Sequence, residues 1–488
     1  MSLARSVLAG SSWVAGSTAV LAVAQVCQLV VLARILGPTQ YGVVAIIMMV
    51  LAFVEMLMIA GISNAIIQRQ TATDDELSSL HWLNTGLGFV LGALVVITAP
   101  LVGSYFSSDA SVLPVAVLGL AVPINSQTHV SRAVLERDMR FRSVALAEFI
   151  AGVASVLAVI AGSFAFGIVG VSIGLLVGFA VRSATFTLMA RPRLRLRRHF
   201  RFGETRRFLS FGVLQLLNSL VGFIDQSMAT LIVGGHLSTR ELGGFNLSYN
   251  LSVTVPGRLN PVITRVMFPA LSRVQNDHAK FSRSTLNLIT LTGLVNTPVM
   301  LVMAISAPVL VPFVFGEEWT WSVPLLQMLT IVGFTRSLGN PMGIVLMAKN
   351  RQRLGLTISL CKTAVAALAL LVGTQTWGVY GAPVALALMG LVTLMINQFL
   401  LHHLLDASHP AILLAQSTPF FVALVPAGLG VIAFWLVSPH VPAIVTIILV
   451  TIVIGGTYAA IAWFSRVPVV REILRHLRRP AADADPEE

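Results

Sequence analysis

Eight charged side chains (Lys, Arg, Asp or Glu) are counted inside long apolar runs, five basic (Arg182, Arg258, Arg265, Arg336, Lys362) and three acidic (Glu55, Glu148, Asp225). A charge at mid-bilayer is costly unless it faces a polar cavity or a partner, so these positions are where chemistry is to be sought. Arg258 lies in Pro256-Gly-Arg-Leu-Asn-Pro261. The two prolines each remove a backbone donor and Gly257 loosens the turn, so the helix is expected to break there, with Pro256, Gly257 and Pro261 as a hinge. Arg265 follows two turns later on roughly the same face, and Arg336, central in another run, supplies a third guanidinium. Guanidinium groups donate paired hydrogen bonds to phosphate oxygens, so the three are candidate ligands for a diphosphate. A buried structural ion pair is the alternative for each.

Glu55 sits in mid-run, where its carboxylate either carries a coupling proton, touches the transported molecule, or neutralises an arginine. Asp225 and Lys362 are further coupling or counter-ion candidates. Glu148, Arg182 and Arg34 lie near the ends of their runs and are expected to be interfacial, with aliphatic stems reaching toward the headgroups. Catalytic motifs fail on context. Ser359-Leu-Cys-Lys362 matches an acylation pattern but has no companion motifs, and the ten histidines form no paired-ligand spacing. There is no phosphate-loop lysine, and Cys27 and Cys361 lie singly in apolar runs. No catalytic residue, metal or cofactor is expected, and no nucleic acid is needed as a partner.

The elements that position these residues follow from composition. Of 488 residues, 56% are hydrophobic and 11% charged, too few charges to cover a soluble fold of this size. Apolar runs of bilayer-spanning length recur throughout, and in lipid only helices satisfy such backbone, because the runs lack the alternation of barrel strands. An all-α polytopic membrane protein of about fourteen spans is expected. Spans fall near 13–36, 41–67, 243–268 and 321–347, among others. Spans 1–6 form an N-lobe over 1–190, a basic linker occupies 191–207, spans 7–12 form a C-lobe over 208–403, and two further spans occupy 404–465. Residues 466–488 are read as an amphipathic helix with an acidic tail. No removable leader is recognised at the start. Alternating the loops places 25 of the 32 Lys and Arg residues on one side and two on the other, which puts both termini in the cytoplasm. The net charge of +12 therefore marks topology. The run Arg191-Pro-Arg-Leu-Arg-Leu-Arg-Arg-His-Phe-Arg201 is one such determinant, facing anionic lipid.

The chain repeats itself weakly. Phe106 and Pro114 echo Phe315 and Pro324, and Leu36-Gly-Pro-Thr-Gln-Tyr-Gly42 echoes His236-Leu-Ser-Thr-Arg-Glu-Leu-Gly-Gly244. The offset of about 200–210 residues predicts two similar lobes in parallel orientation, an arrangement suited to alternating access. Glycines at 170, 174 and 178, and at 86 and 88, have no strand before them and are expected to be close helix contacts.

Four segments carry a family resemblance. Ala33-Arg-Ile-Leu-Gly-Pro-Thr-Gln-Tyr-Gly42, Ala65-Ile-Ile-Gln68, Leu135-Glu-Arg-Asp-Met-Arg-Phe-Arg142 and Val266-Met-Phe-Pro-Ala-Leu-Ser-Arg-Val-Gln275 resemble the multidrug/oligosaccharidyl-lipid/polysaccharide (MOP) exporter superfamily. More narrowly, they are similar to the Wzx-type oligosaccharide flippases of the colanic-acid and succinoglycan branch. The resemblance implies a bacterial inner-membrane protein that flips undecaprenyl-diphosphate-linked oligosaccharide for exopolysaccharide or lipopolysaccharide synthesis. It also implies membrane lipids, glycosyltransferases and a polymerase of the same pathway as partners. A multidrug or cation antiporter is the alternative within the superfamily, but the excess of basic over acidic groups in the spans favours an anionic substrate. A membrane-embedded polymerase or ligase is the alternative from another class, and it would call for a long outer loop bearing catalytic charges. The loops near 103–111 and 310–320 are short.

Overall fold

The computed structural model describes residues 3–59, 66, 72–192, 194, 196–274, 277–349, 351–405 and 407–464. Side chains of several residues within helices, Arg258, Pro261 and Arg265 among them, lie outside that description. So does the whole of 466–488, where an amphipathic helix is expected. Every regular element among the described residues is helical. In order they are α1 (Leu3–Ile59), α2 (Asp74–Tyr105), α3 (Val112–Arg137), α4 (Phe141–Ala190), α5 (Phe202–His236), α6 (Thr239–Arg273) and α7 (His278–Phe315). There follow α8 (Val323–Gly339), α9 (Pro341–Ala348), α10 (Gln352–Trp377), α11 (Gly381–Leu405), α12 (His409–Val437) and α13 (Ala443–Phe464).

Eight helical segments among the described residues are long and apolar enough to cross a membrane. Their outward faces expose Ile97, Leu101, Leu157, Phe421 and Trp435, the surface a protein presents when lipid is its solvent. The chain is an all-α polytopic membrane protein. Its contacts divide it into two compact units, Met1–Gly243 and Gly244–Glu488. In the first, α2 packs on α3, α3 on α4 and α4 on α1; in the second, α7 packs on α8, α12 and α13, and α10 on α11.

Three of the longest helical segments fold at a glycine. Gly37 (φ 67°) turns α1 ahead of Pro38. Phe166 and Gly167 (φ 57°, ψ −132°) turn α4 into two arms, and Gly378 (φ 58°, ψ −140°) follows Trp377 between α10 and α11. These dihedrals belong to glycine alone, because a Cβ would strain the backbone. Beside each of the last two turns a pair of glycines lets the arms touch. A Cβ on Gly170 would strike the carbonyl of Gly162, and one on Gly381 would strike the carbonyl of Gly373. Further along α4, Gly174 sits against Val159 and Gly178 against Ser155, so the expected glycine contacts at 170, 174 and 178 are present. Gly88 meets Ser126, whereas Gly86 meets nothing.

One constant interval carries Gly162, Gly167 and Gly170 to Gly373, Gly378 and Gly381. The same interval carries Val134, Leu135, Ala190 and Leu194, buried in the core of the first unit, to Val345, Leu346, Leu401 and Leu405, buried in that of the second. It lies just beyond the range expected from the sequence echoes. At the motif Pro38-Thr-Gln-Tyr-Gly42 the role of the last glycine is visible. A Cβ on Gly42 would strike the carbonyl of Thr239, and one on Gly243 would strike that of Pro38.

Two expectations are corrected. The segment 256–261 does not interrupt its helix, because α6 runs from Thr239 to Arg273 through both prolines. Each proline removes one backbone donor, and a helix can continue past it on the bonds of the adjoining turns. The expected span 321–347 is in turn divided: a 3-10 segment, Glu317–Ser322, precedes α8, and α8 gives way to α9 at Pro341, which cannot donate to the preceding turn.

Helix α2 starts on a capping box. The Thr73 hydroxyl accepts the Glu76 backbone N–H at 3.3 Å, and the Glu76 carboxylate accepts the Thr73 N–H at 3.0 Å. Thr73→Ala is expected to cost about 1 kcal/mol, measured as a lowered melting temperature in detergent.

Candidate functional site

Five charged side chains of the first unit, carried on three helices, form one cluster. Arg182, on the second arm of α4, reaches Glu148 on the first arm at 3.1 Å and Glu55 on α1 at 3.7 Å. Glu148 also accepts from Arg132 of α3 at 3.0 Å, and Arg132 pairs with Glu136 one turn on at 2.8 Å. The Asn125 amide donates to Glu55 at 3.4 Å, and a cleft lined by Leu51, Val54, Glu55, Met58, Val122 and Asn125 opens beside that contact. Two arginines thus hold three carboxylates in a continuous ion-paired chain.

This corrects the expectation for Arg182 and Glu148 as separate interfacial residues: the fold of α4 at Gly167 brings them together. Glu148 lies 18 residues before Phe166 and Arg182 lies 15 after Gly167, an offset of about one helical turn that the long arginine side chain spans. That spacing, read with the aromatic–glycine turn, is the signal that sequence reasoning missed, along with Asn125, Arg132 and Glu136. The surroundings hold further polar capacity. Asn125 Oδ1, Thr128 Oγ1, His129 Nε2, Ser131 Oγ and Arg182 Nε are buried and have no hydrogen-bond partner among the described residues. Such atoms are where water or a ligand bonds.

In the second unit Arg336 stands half-buried near the end of α8, its Cζ 5.4 Å from the ring centroid of Tyr249. Tyr249 in turn stacks on Phe245 at 5.7 Å. Among the described residues no carboxylate lies within ion-pair distance of Arg336. A guanidinium on an aromatic face keeps its in-plane N–H donors available to an anion.

Asp225 on α5 and Lys362 on α10 are half-buried. Pro256 is buried and Gly257 exposed, whereas the side chains of Arg258 and Arg265 lie outside the described residues. The interval that relates the two cores relates the charges as well. It places Arg336 at the register of Asn125, and Gly343, Ser359 and Thr393 at the registers of Arg132, Glu148 and Arg182. The second unit builds the same core without that ionic chain, so the fold itself does not require it.

Residues 31–324 match the family described as Polysaccharide biosynthesis protein. Over 426 residues the chain is 30% identical to the lipopolysaccharide biosynthesis protein WzxC of Escherichia coli, covering 87% of each. The chain belongs to this polysaccharide biosynthesis family. It is also 25% identical over 310 residues to the succinoglycan biosynthesis transport protein ExoT of Rhizobium meliloti, covering 62% of this chain and 61% of the relative. Its fold is that of the lipid II flippase MurJ in an inward closed conformation. The TM-score is 0.71, with 14% identity, over 95% of this chain and 99% of that one.

Proposed function

We propose that this protein is a flippase. It carries an oligosaccharide on an undecaprenyl diphosphate lipid from the inner to the outer leaflet of a bacterial inner membrane, by alternating access and with both termini cytoplasmic. Glycosyltransferases supply the loaded lipid, and a polymerase consumes it. The observation that carries the reading is Arg336: a half-buried guanidinium among apolar helices, backed by an aromatic ring and, among the described residues, by no acid at ion-pair distance. A diphosphate headgroup is the anion such a group accepts while crossing. Arg258 and Arg265 on α6 complete the cation set, with Pro256, Gly257 and Pro261 as the segment that adjusts during the cycle. Membership of a polysaccharide biosynthesis family and the likeness to a transport protein support this substrate class.

In this reading the ionic chain of the first unit does different work. Glu55 is the coupling group, because of the three acids in that chain it is the one that lines the cleft beside Asn125. Arg182 is shared with Glu148, and Asn125 keeps an unmet acceptor. Asp225 and Lys362 remain secondary candidates for coupling or charge balance.

Arg258→Ala and Arg336→Ala are each expected to lower polysaccharide export about ten- to a hundredfold, from the loss of one charge-assisted contact of about 1.5–3 kcal/mol. Lipid-linked units should accumulate on the cytoplasmic leaflet of cells whose only flippase is the variant. Wild-type export by both variants at normal protein levels would remove the basis for the assignment.

A further inference from the structure

The segment between α4 and α5 is a strap fastened along the start of α2. Leu194 is buried in the core formed by Leu77, Leu80, Val130, Phe186 and Ala190. Beyond it the backbone is tied down at successive points. The Arg197 N–H donates to the Ser78 hydroxyl at 3.0 Å, and its carbonyl accepts the Trp82 indole N–H at 2.9 Å. The Arg201 N–H donates to the Ser79 hydroxyl at 3.1 Å. Ser78 and Ser79 are fully buried, so these are fixed anchor points. The Arg197 guanidinium is held as well, 3.1 Å from Asp75.

Pinning the backbone in this way turns the remaining side chains outward. Leu196, Phe200 and Phe202 are exposed, the two phenylalanines at 52% and 60%, and Arg191, Arg198 and Arg201 are exposed among them. The strap begins at Ala190, where α4, a helix long and apolar enough to cross a membrane, ends, and it runs to the start of α5 at Phe202, which sets it beside the edge of the bilayer that α4 would cross. Exposed aromatics interleaved with exposed guanidinium groups at that depth match a leaflet whose surface is anionic and whose interior is apolar.

We propose that this strap is a binding site for anionic phospholipid. The guanidinium groups of Arg191, Arg198 and Arg201 bond to lipid phosphates, and the side chains of Leu196, Phe200 and Phe202 enter the acyl boundary. Arg197 takes no part, being committed to Asp75. This goes beyond marking topology: a topology determinant acts once, during insertion, whereas a docked strap holds lipid throughout the life of the protein. Because the strap is fastened to α2, bound lipid also braces the packing of that helix. The inference is independent of what the protein transports.

The test uses the full chain with Cys27 and Cys361 replaced by alanine and Phe200→Cys carrying an environment-sensitive fluorophore. It is reconstituted in nanodiscs of phosphatidylcholine with or without phosphatidylglycerol. In the anionic discs the emission should shift to the blue and be quenched by lipids nitroxide-labelled near the headgroup, and high salt should reverse part of the shift. The R191E/R198E/R201E variant should lose the shift, while R197E, which breaks the Asp75 pair, should keep it. Anionic lipid should also raise the melting temperature of the parent chain and leave that of the triple variant unchanged. Equal emission in both kinds of disc, or a shift that survives the triple charge reversal, overturns the proposal. So does displacement of the shift by an oligonucleotide that binds in preference to the lipid.

Discussion

Arg182→Ala is expected to destabilise the folded chain by about 3 kcal/mol, whereas Glu55→Gln should cost about 1 kcal/mol or less. The asymmetry follows from the geometry. Arg182 bridges Glu148 at 3.1 Å and Glu55 at 3.7 Å, so its loss strands two half-buried carboxylates at once. Glu55→Gln leaves Arg182 with Glu148 and keeps the amide of Asn125 in contact. The lower end of the range for broken buried pairs applies because the side chains of Arg182, Glu148 and Glu55 retain 21%, 31% and 32% of their exposure. Arg182→Lys restores the charge without the fork that reaches both acids, and should recover part of the loss. Thermal unfolding in detergent ranks the three, and an Arg182→Ala chain that melts with the parent would contradict the bridging role.

A second arm of the same experiment separates stability from transport. Removing the charges together, as E55Q/E148S/R182T, copies the neutral residues Ser359 and Thr393 that the second unit carries at the matching registers of Glu148 and Arg182, and it leaves the Arg132–Glu136 pair in place. Replacing a buried ionic group whole is often close to neutral for folding, so this variant should melt within about 1 kcal/mol of the parent. Flipping should nevertheless be lost if Glu55 couples transport. Full export by the neutral variant would assign the ionic chain to structure alone.

Much of this was legible in the sequence, because hydropathy and charge placement respond to the bilayer directly. Few charges, long apolar runs and one-sided loop cations are enough to predict an all-helical polytopic protein. The short motifs around Gly42 and Arg142 pointed to the family that the match over 31–324 supports. Pairings made by a fold-back were harder to see. Glu148 and Arg182 lie near what appear in sequence to be separate helix ends. Only the turn at Phe166 and Gly167 makes them neighbours, and glycine spacing alone does not say which arm meets which. Proline is weaker punctuation inside α6 than its missing donors suggest. Pro256 and Pro261 are carried within α6, because proline removes one donor but not the hydrogen bonds of the adjoining turns. The internal repeat was found from loop echoes, where insertions blur the interval. It is sharper at the glycine turns and core positions, where packing tolerates no shift.

That repeat leads to an expectation for two distant positions. Gly170→Val and Gly381→Val should each cost about 3 kcal/mol or more, because the added carbons meet backbone carbonyls, of Gly162 and Gly373, that cannot move aside as a side chain would. Gly167→Ala and Gly378→Ala probe another term. No atom lies closer than 3.8 Å to a Cβ at Gly167, and none lies within 4 Å at Gly378. Any loss there is therefore backbone strain from φ of 57° and 58°, about 1–3 kcal/mol. Gly86→Ala is the control: it is helical and exposed with nothing within 4 Å, and should stabilise α2 by up to about 1 kcal/mol. Melting curves of the five variants give the comparison. If the repeat is built on one turn used twice, the valine pair should fall together and the alanine pair together. Tolerance of valine at one position and not at its counterpart would mean that the two turns share their dihedrals without sharing the packing that requires them.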